Sequence, residues 1–164
     1  MSGTPPAQST PWLAIAAVLM GTCISTLNGR FASFGLGDIR GALHAGFDEG
    51  AWIPTAQTAA QMLVAPFAIW AGGAYGPRRV LMLAAAAFSA LSIATPFASG
   101  FTTFLAMQFL DGMASGFFVP LTLGFLMRSL PPRYWAYGVA AYALNLELSL
   151  NISASIEGLS LIHI

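Results

Sequence analysis

Apolar residues fall into five long stretches, at 12–36, 51–71, 80–97, 101–127 and 134–156, each bounded by Gly, Pro or charge. A helix needs about 20 residues to cross a hydrocarbon core of roughly 30 Å, so each stretch predicts a membrane-spanning helix. Polar residues inside four of them recur three or four positions apart, which places them on one face of a helix. The faces are Thr22, Thr26, Arg30 and Ser33 on the first; Gln57 and Gln61 on the second; Gln108, Asp111 and Ser115 on the fourth; and Glu147, Asn151 and Ser155 on the fifth. The third stretch carries no charge and no comparable stripe. The expected class is all-α and integral to the membrane, with about five helices forming an incomplete bundle.

Composition supports that class: 57% of the 164 residues are hydrophobic, only 7% are charged, and the mean hydropathy is +0.73. Six Arg, no Lys and six acidic residues give a net charge of zero, so no basic surface is available to hold nucleic acid. A lone cysteine, Cys23, excludes an internal disulfide. No Cys/His cluster has metal-ligand spacing, and neither a metal nor a cofactor is expected. Neither a Gly-x-Ser-x-Gly elbow nor a His-Glu-x-x-His helix is present, which argues against an enzyme. The all-Arg usage and the Ala/Gly richness suggest a bacterial source.

The stretch 1–11 lacks Lys and Arg and precedes an apolar run too long for a signal peptide, so it is expected as a tail before a retained first helix. The connections alternate: 38–50 is acidic on balance, Gly76-Pro77-Arg78-Arg79 is basic, 98–100 is neutral, and 128–133 is basic. By the positive-inside tendency the N-terminus is cytoplasmic, in a bacterial inner membrane. Residues 159–164 resemble a translated sequencing-library adapter, so they are expected to be non-native and residues 12–158 to be the partial bundle.

Three charges fall inside predicted spans. An isolated Arg or Asp at a helix centre costs about 2.5–3.5 kcal/mol on insertion scales, so such groups normally face protein or a wet cavity. At 1.5 Å per residue Arg30 and Asp111 lie about 10 and 15 Å from their outer helix ends, and Glu147 about 20 Å from its inner end. All three occupy the outer half of the membrane. The expectation is a buried charge network in which Arg30 pairs with Asp111 while Glu147 carries a coupled proton. Gly112 and Gly116 form a small-xxx-small face suited to close helix packing. Pro54, Pro66 and Pro120 release backbone carbonyls, and Trp12, Tyr134, Trp135 and Tyr137 suit interfacial anchors.

The order of several short motifs resembles the N-terminal part of major facilitator superfamily transporters, in particular the fourteen-span multidrug efflux permeases, which are drug/proton antiporters. These are Asp38-Ile39-Arg40-Gly41-Ala42-Leu43, Ala51-Trp52-Ile53, Gly76-Pro77-Arg78-Arg79, Asp111-Gly112-Met113-Ala114-Ser115-Gly116 and Leu130-Pro131-Pro132-Arg133. The resemblance implies a cavity lined by the first, second, fourth and fifth helices, with Thr26, Asn28, Gln57, Gln61, Gln108, Ser115 and Asn151 as candidate lining residues. It also implies a cytoplasmic loop motif at Gly76, Arg78 and Arg79. The departures fall on functional positions of the family: Asn28 replaces an Asp, Gly37 a Pro, Ile69 and Gly73 a Gly and an Asp, Gln108 an Arg, and Asp111 a Gln. Ser153-Ala154 stands where the antiporter signature has Gly-Pro, and Glu157-Gly158 where it has Gly-Gly.

The expected function is proton-coupled efflux of small organic molecules by alternating access between two bundles. The expected partners are the lipid bilayer, a small organic substrate, protons and a missing C-terminal half of the same chain. The competing expectation is a non-transporting membrane sensor or scaffold that kept the fold.

Overall fold

The computed structural model describes the backbone of residues 12–162 and the side chains of 15–30 and 34–155. The tail 1–11 and residues 163–164 therefore lie outside the described residues, as do the side chains of Trp12, Ser33 and Glu157. Seven α-helices follow in order: α1 Trp12–Phe34, α2 Leu36–Leu43, α3 Phe47–Tyr75, α4 Pro77–Ala94, α5 Phe101–Ser115, α6 Phe118–Ser129 and α7 Trp135–Ile162. Short 3-10 turns at Thr95–Phe97 and Pro132–Tyr134 complete the elements, and no strand occurs among the described residues.

The helices differ from the expected stretches in three places. The acidic connection at 38–50 is largely helical: α2 places Asp38 in its first turn and Arg40 in its last, matching the helix dipole at both ends. It ends where His44 takes a left-handed conformation (φ 54°). Helix α3 starts four residues early because Asp48 and Glu49 suit a first turn and the Glu49 carboxylate accepts the Gly46 N–H at 2.8 Å. It also passes through Gly72 and Gly73 to Tyr75. The expected fourth helix divides into α5 and α6 around Gly116 and Phe117. Pro120 explains the break, since it has no N–H for the carbonyl four residues earlier and its ring crowds that turn.

The burial pattern departs from that of a water-soluble protein in how many polar groups it encloses and how many large apolar ones it leaves outside. Thr22, Gln57, Gln108, Asp111, Ser115, Thr122, Ser149 and Ser153 are buried, while Met62, Leu63, Phe67, Trp70, Leu83 and Ile93 are exposed. A continuous apolar exterior of this kind meets lipid or another protein surface. Among the described residues two stretches are both long and apolar enough to cross a membrane, Pro77–Phe97 and the α5–α6 unit Phe101–Ser129. Polar residues lower the hydropathy of α3 and α7.

Close packing centres on α3 and α5, with α4 and α6 against them and α7 against α1. One apolar cluster joins Ala68, Val80, Leu81, Phe88, Ala114, Phe118 and Leu121, and the rings of Phe88 and Phe118 meet edge to face at 5.8 Å. A smaller cluster joins Ile15, Leu126 and Tyr142. The basic turn between α3 and α4 depends on Gly76, whose φ of 88° suits a residue without Cβ. Pro77 then opens α4, and Arg78 and Arg79 are exposed in its first turn. At the far end of α6 the exposed Trp135 indole donates to the carbonyls of Met127 (3.0 Å) and Leu130 (3.1 Å). It closes the end of one helix while opening the next.

Candidate functional site

The site begins with two glycines. Any Cβ at Gly112 would strike the Gln57 backbone, and one at Gly116 would lie 2.9 Å from the Gln61 Cα. Helix α5 therefore rests directly on the main chain of α3. That approach aligns the polar faces of the two helices. The Gln61 Nε2 donates to Ser115 Oγ at 3.0 Å, and Ser115 Oγ donates to the Gly112 carbonyl at 3.1 Å.

One turn away Asp111 is 1% exposed and accepts bonds from three helices. Asn28 Nδ2 of α1 and Gln57 Nε2 of α3 reach Oδ2 at 3.2 and 3.4 Å, and Ser92 Oγ of α4 reaches Oδ1 at 3.3 Å. All three donors are neutral. The carboxylate thus ties together four of the seven helices without an ion pair.

A cavity of about 920 Å³ opens beside this network. Thr22, Ser25, Thr26 and Arg30 of α1 form one wall, Pro54, Gln57, Thr58, Gln61 and Met62 of α3 a second, and Ser115 with Val119, Leu123 and Met127 of α5 and α6 the rest. Its volume is in the range of small-molecule sites, and a few polar groups on a largely apolar wall are typical of them. Where α1 meets α6 the Thr22 and Thr122 hydroxyls lie 2.9 Å apart.

Of the expected residues, Thr26, Gln57, Gln61, Ser115 and Arg30 line the cavity. Asn28 and Asp111 sit behind that lining, and Gln108 is buried on α5 away from it. The expected charge network does not form among the described residues. Arg30 is exposed, and no described carboxylate lies within ion-pair distance of it. Two residues along a helix turn the side chain by about 200°, so while Asn28 faces Asp111, Arg30 faces the cavity. Glu147 and Asn151 are also exposed. They occupy the side of α7 turned away from α1, where the Asn151 amide donates to the Glu147 carbonyl at 2.7 Å.

The face of α7 that meets α1 carries a different stripe, Tyr142, Asn145, Ser149 and Ser153. Asn145 Nδ2 donates to the Leu19 carbonyl at 3.2 Å, and Ser149 Oγ lies 3.1 Å from Cys23 Sγ. Spacing alone carried a signal for this stripe, because Asn145, Ser149 and Ser153 repeat every four residues. Ser92 carried almost none, being one of only two hydroxyls, with Ser89, in the otherwise apolar stretch 80–94 of α4.

A bundle of apolar-coated helices around a cavity with a few polar groups fits a membrane-embedded protein. The Major Facilitator Superfamily model matches residues 7–161, and the chain belongs to that superfamily. It is 22% identical over 85% of its length to a probable multidrug resistance protein, EmrY, of Escherichia coli strain K12. It is 23% identical over 94% of its length to a probable actinorhodin transporter of Streptomyces coelicolor, and 22% identical over 88% to the multidrug export protein EmrB of Haemophilus influenzae. The chain spans 27%, 27% and 29% of these relatives, just over a quarter of their length. No solved structure matches it.

Proposed function

We propose that the complete protein exports small organic molecules by alternating access, with the cavity between α1, α3 and α6 forming part of the substrate path. The observation that carries this reading is the cavity itself, a space of about 920 Å³ with several polar groups on the α1 and α3 walls and, apart from Ser115, Val, Leu and Met on the third. The relatives' names, which include multidrug export and actinorhodin transport, support efflux as the direction.

In this reading α1, α3, α4, the α5–α6 unit and α7 are the five spans, and α2 lies at the outer surface. The Arg-bearing turns at 76–79 and 128–133 face the cytoplasm of a bacterial inner membrane, as does the N-terminus. Gly76, Arg78 and Arg79 hold the turn between α3 and α4 at that surface. The remainder of a chain of the relatives' length supplies the opposing wall, against which the exposed Glu147, Asn151 and Ser155 face of α7 is free to pack.

Coupling to protons rests on Asp111, which replaces Glu147 as the proposed carrier. A carboxylate among Asn28, Gln57 and Ser92 can be neutralised by a proton without leaving a charged partner unpaired, because all three are neutral. Gln57 both bonds the carboxylate and lines the cavity, so it transmits occupancy between the two.

The test is flux in proteoliposomes of the complete native protein with and without an imposed pH gradient. Asp111→Asn keeps a group of the same shape in the network. It is expected to remove at least about ten-fold of the gradient-driven stimulation while preserving downhill exchange. Unchanged stimulation overturns the assignment of the proton to Asp111. Ligand binding without flux in the unmutated protein overturns transport and favours the sensor reading, which the Asn28 and Gln108 replacements at family positions support.

A further inference from the structure

We propose that the cavity selects amphipathic organic anions, with Arg30 as the residue that recognises their charge. The proposal rests on the transporter reading and names the substrate class of the same site.

Arg30 is the one formally charged residue on the cavity wall among the described residues. Asp111 contributes no wall, being enclosed behind Gln57 and bonded on both oxygens. The charge presented to a ligand is therefore a single positive one. No described carboxylate neutralises it. A guanidinium at membrane depth is stabilised by a counter-ion, and its planar fork matches a carboxylate or sulfonate through two parallel hydrogen bonds.

The cavity is graded along its length. Gly29, next to Arg30, lies against the Gln57 side chain. Ile69, which also lines the cavity, is three turns of α3 further on, about 18 Å away at 1.5 Å per residue. Near Arg30 the wall carries the Thr26 hydroxyl and the Gln57 amide; towards Ile69, where Leu121 of α6 lies against Gly72 of α3, it carries Leu123 and Met127. An anionic head and an aromatic or aliphatic body fit that gradient in one orientation, and flexible Met side chains accommodate bodies of different shape.

The experiment uses the complete native protein and two matched probe pairs. Tetraphenylborate and tetraphenylphosphonium share a shape and differ in the sign of charge. Binding corrected for empty micelles is expected to favour the borate by about ten-fold or more. Equal binding, or preference for the phosphonium, overturns the proposal without any variant.

The second pair is 1-anilinonaphthalene-8-sulfonate and its neutral analogue N-phenyl-1-naphthylamine. Arg30→Gln is expected to weaken the sulfonate about ten-fold and the neutral amine less than two-fold, and Arg30→Lys to restore only part of the sulfonate binding, because it returns the charge without the fork. Equal loss of both probes in folded Arg30→Gln protein, or loss of neither, overturns the assignment to Arg30. The two readings separate cleanly. Anion-selective binding without flux removes transport and leaves the selectivity standing, whereas flux indifferent to charge removes the selectivity and leaves transport.

Discussion

The seam between α3 and α5 and the seam between α1 and α7 solve helix association in different ways. At α3–α5 the backbones touch, with Gly112 and Gly116 against Gln57 and Gln61, and the polar side chains at the contact are bonded to one another. At α1–α7 the helices are bridged by side chains, and the bonding is incomplete. Asn145 Nδ2 and Ser149 Oγ have partners, but the Tyr142 hydroxyl, Asn145 Oδ1 and Ser153 Oγ are buried without one among the described residues. Lipid offers no hydrophobic drive for helix association, so van der Waals fit and hydrogen bonds decide which seam holds. The first seam is fixed by shape; the second retains polar capacity for water or for a shifted register. In the proposed alternating-access cycle the first contact keeps the site aligned and the second is the one able to yield.

The sharpest way to break that contrast is Gly112→Val. Its side chain must enter space held by the Gln57 main chain, which cannot rotate aside as a side chain would. Overpacking a close contact costs typically 1–3 kcal/mol, and a backbone neighbour puts this site at about 3 kcal/mol or above. Denaturation in detergent should show it, together with loss of the Gln61–Ser115 and Asp111 alignments. Stability within about 1 kcal/mol of the unmutated protein would mean that α3 and α5 are not held by close approach.

The physics behind Gly112 and Gly116 was legible in the sequence, as were the five apolar stretches and the cavity faces of α1 and α3. In an apolar helix, small residues four apart mark a close contact, and hydroxyl or amide residues four apart mark a polar face. Counting residues from the expected helix ends drew Arg30 and Asp111 together, because it puts both in the same half of the membrane. Azimuth was not. Only the assembled bundle shows that Asn28, and not Arg30, faces Asp111. In α7 two polar stripes, Asn145-Ser149-Ser153 and Glu147-Asn151-Ser155, share the same period, and charge favoured the stripe that faces away from α1. Ser92 acquires meaning only from what α5 places beside it, and the helical character of α2 was hidden by its charge and glycines.

A smaller effect sharpens the comparison at a bridged contact of known geometry. Thr22 and Thr122 are both fully buried and meet hydroxyl to hydroxyl at 2.9 Å, with Thr22 also donating to the Val18 carbonyl at 3.0 Å. Interhelical hydrogen bonds in membranes average about 0.6 kcal/mol and reach about 1.7 kcal/mol. A double-mutant cycle with Thr22→Val and Thr122→Val should give a coupling energy in that interval. The rest of each single-mutant cost, if any, belongs to packing. A coupling near zero would mean that the α1–α6 contact is held by its methyl groups alone.

The smallest expected effect is the most telling for the α1–α7 seam. Ser153 is fully buried, yet its Oγ has no bond among the described residues. If the seam is dry, Ser153→Ala removes an unsatisfied polar atom, and stability should stay within about 0.5 kcal/mol or rise, because no bond is lost and the desolvation penalty disappears. If water enters the seam and bonds the hydroxyl, the same substitution should cost about 1 kcal/mol and reduce solvent exchange at neighbouring α7 amides. Thermal unfolding of Ser153→Ala read beside amide hydrogen exchange along α7 distinguishes the two. A stabilised variant with unchanged exchange would assign the seam to tight, static packing and remove it as the yielding contact of the bundle.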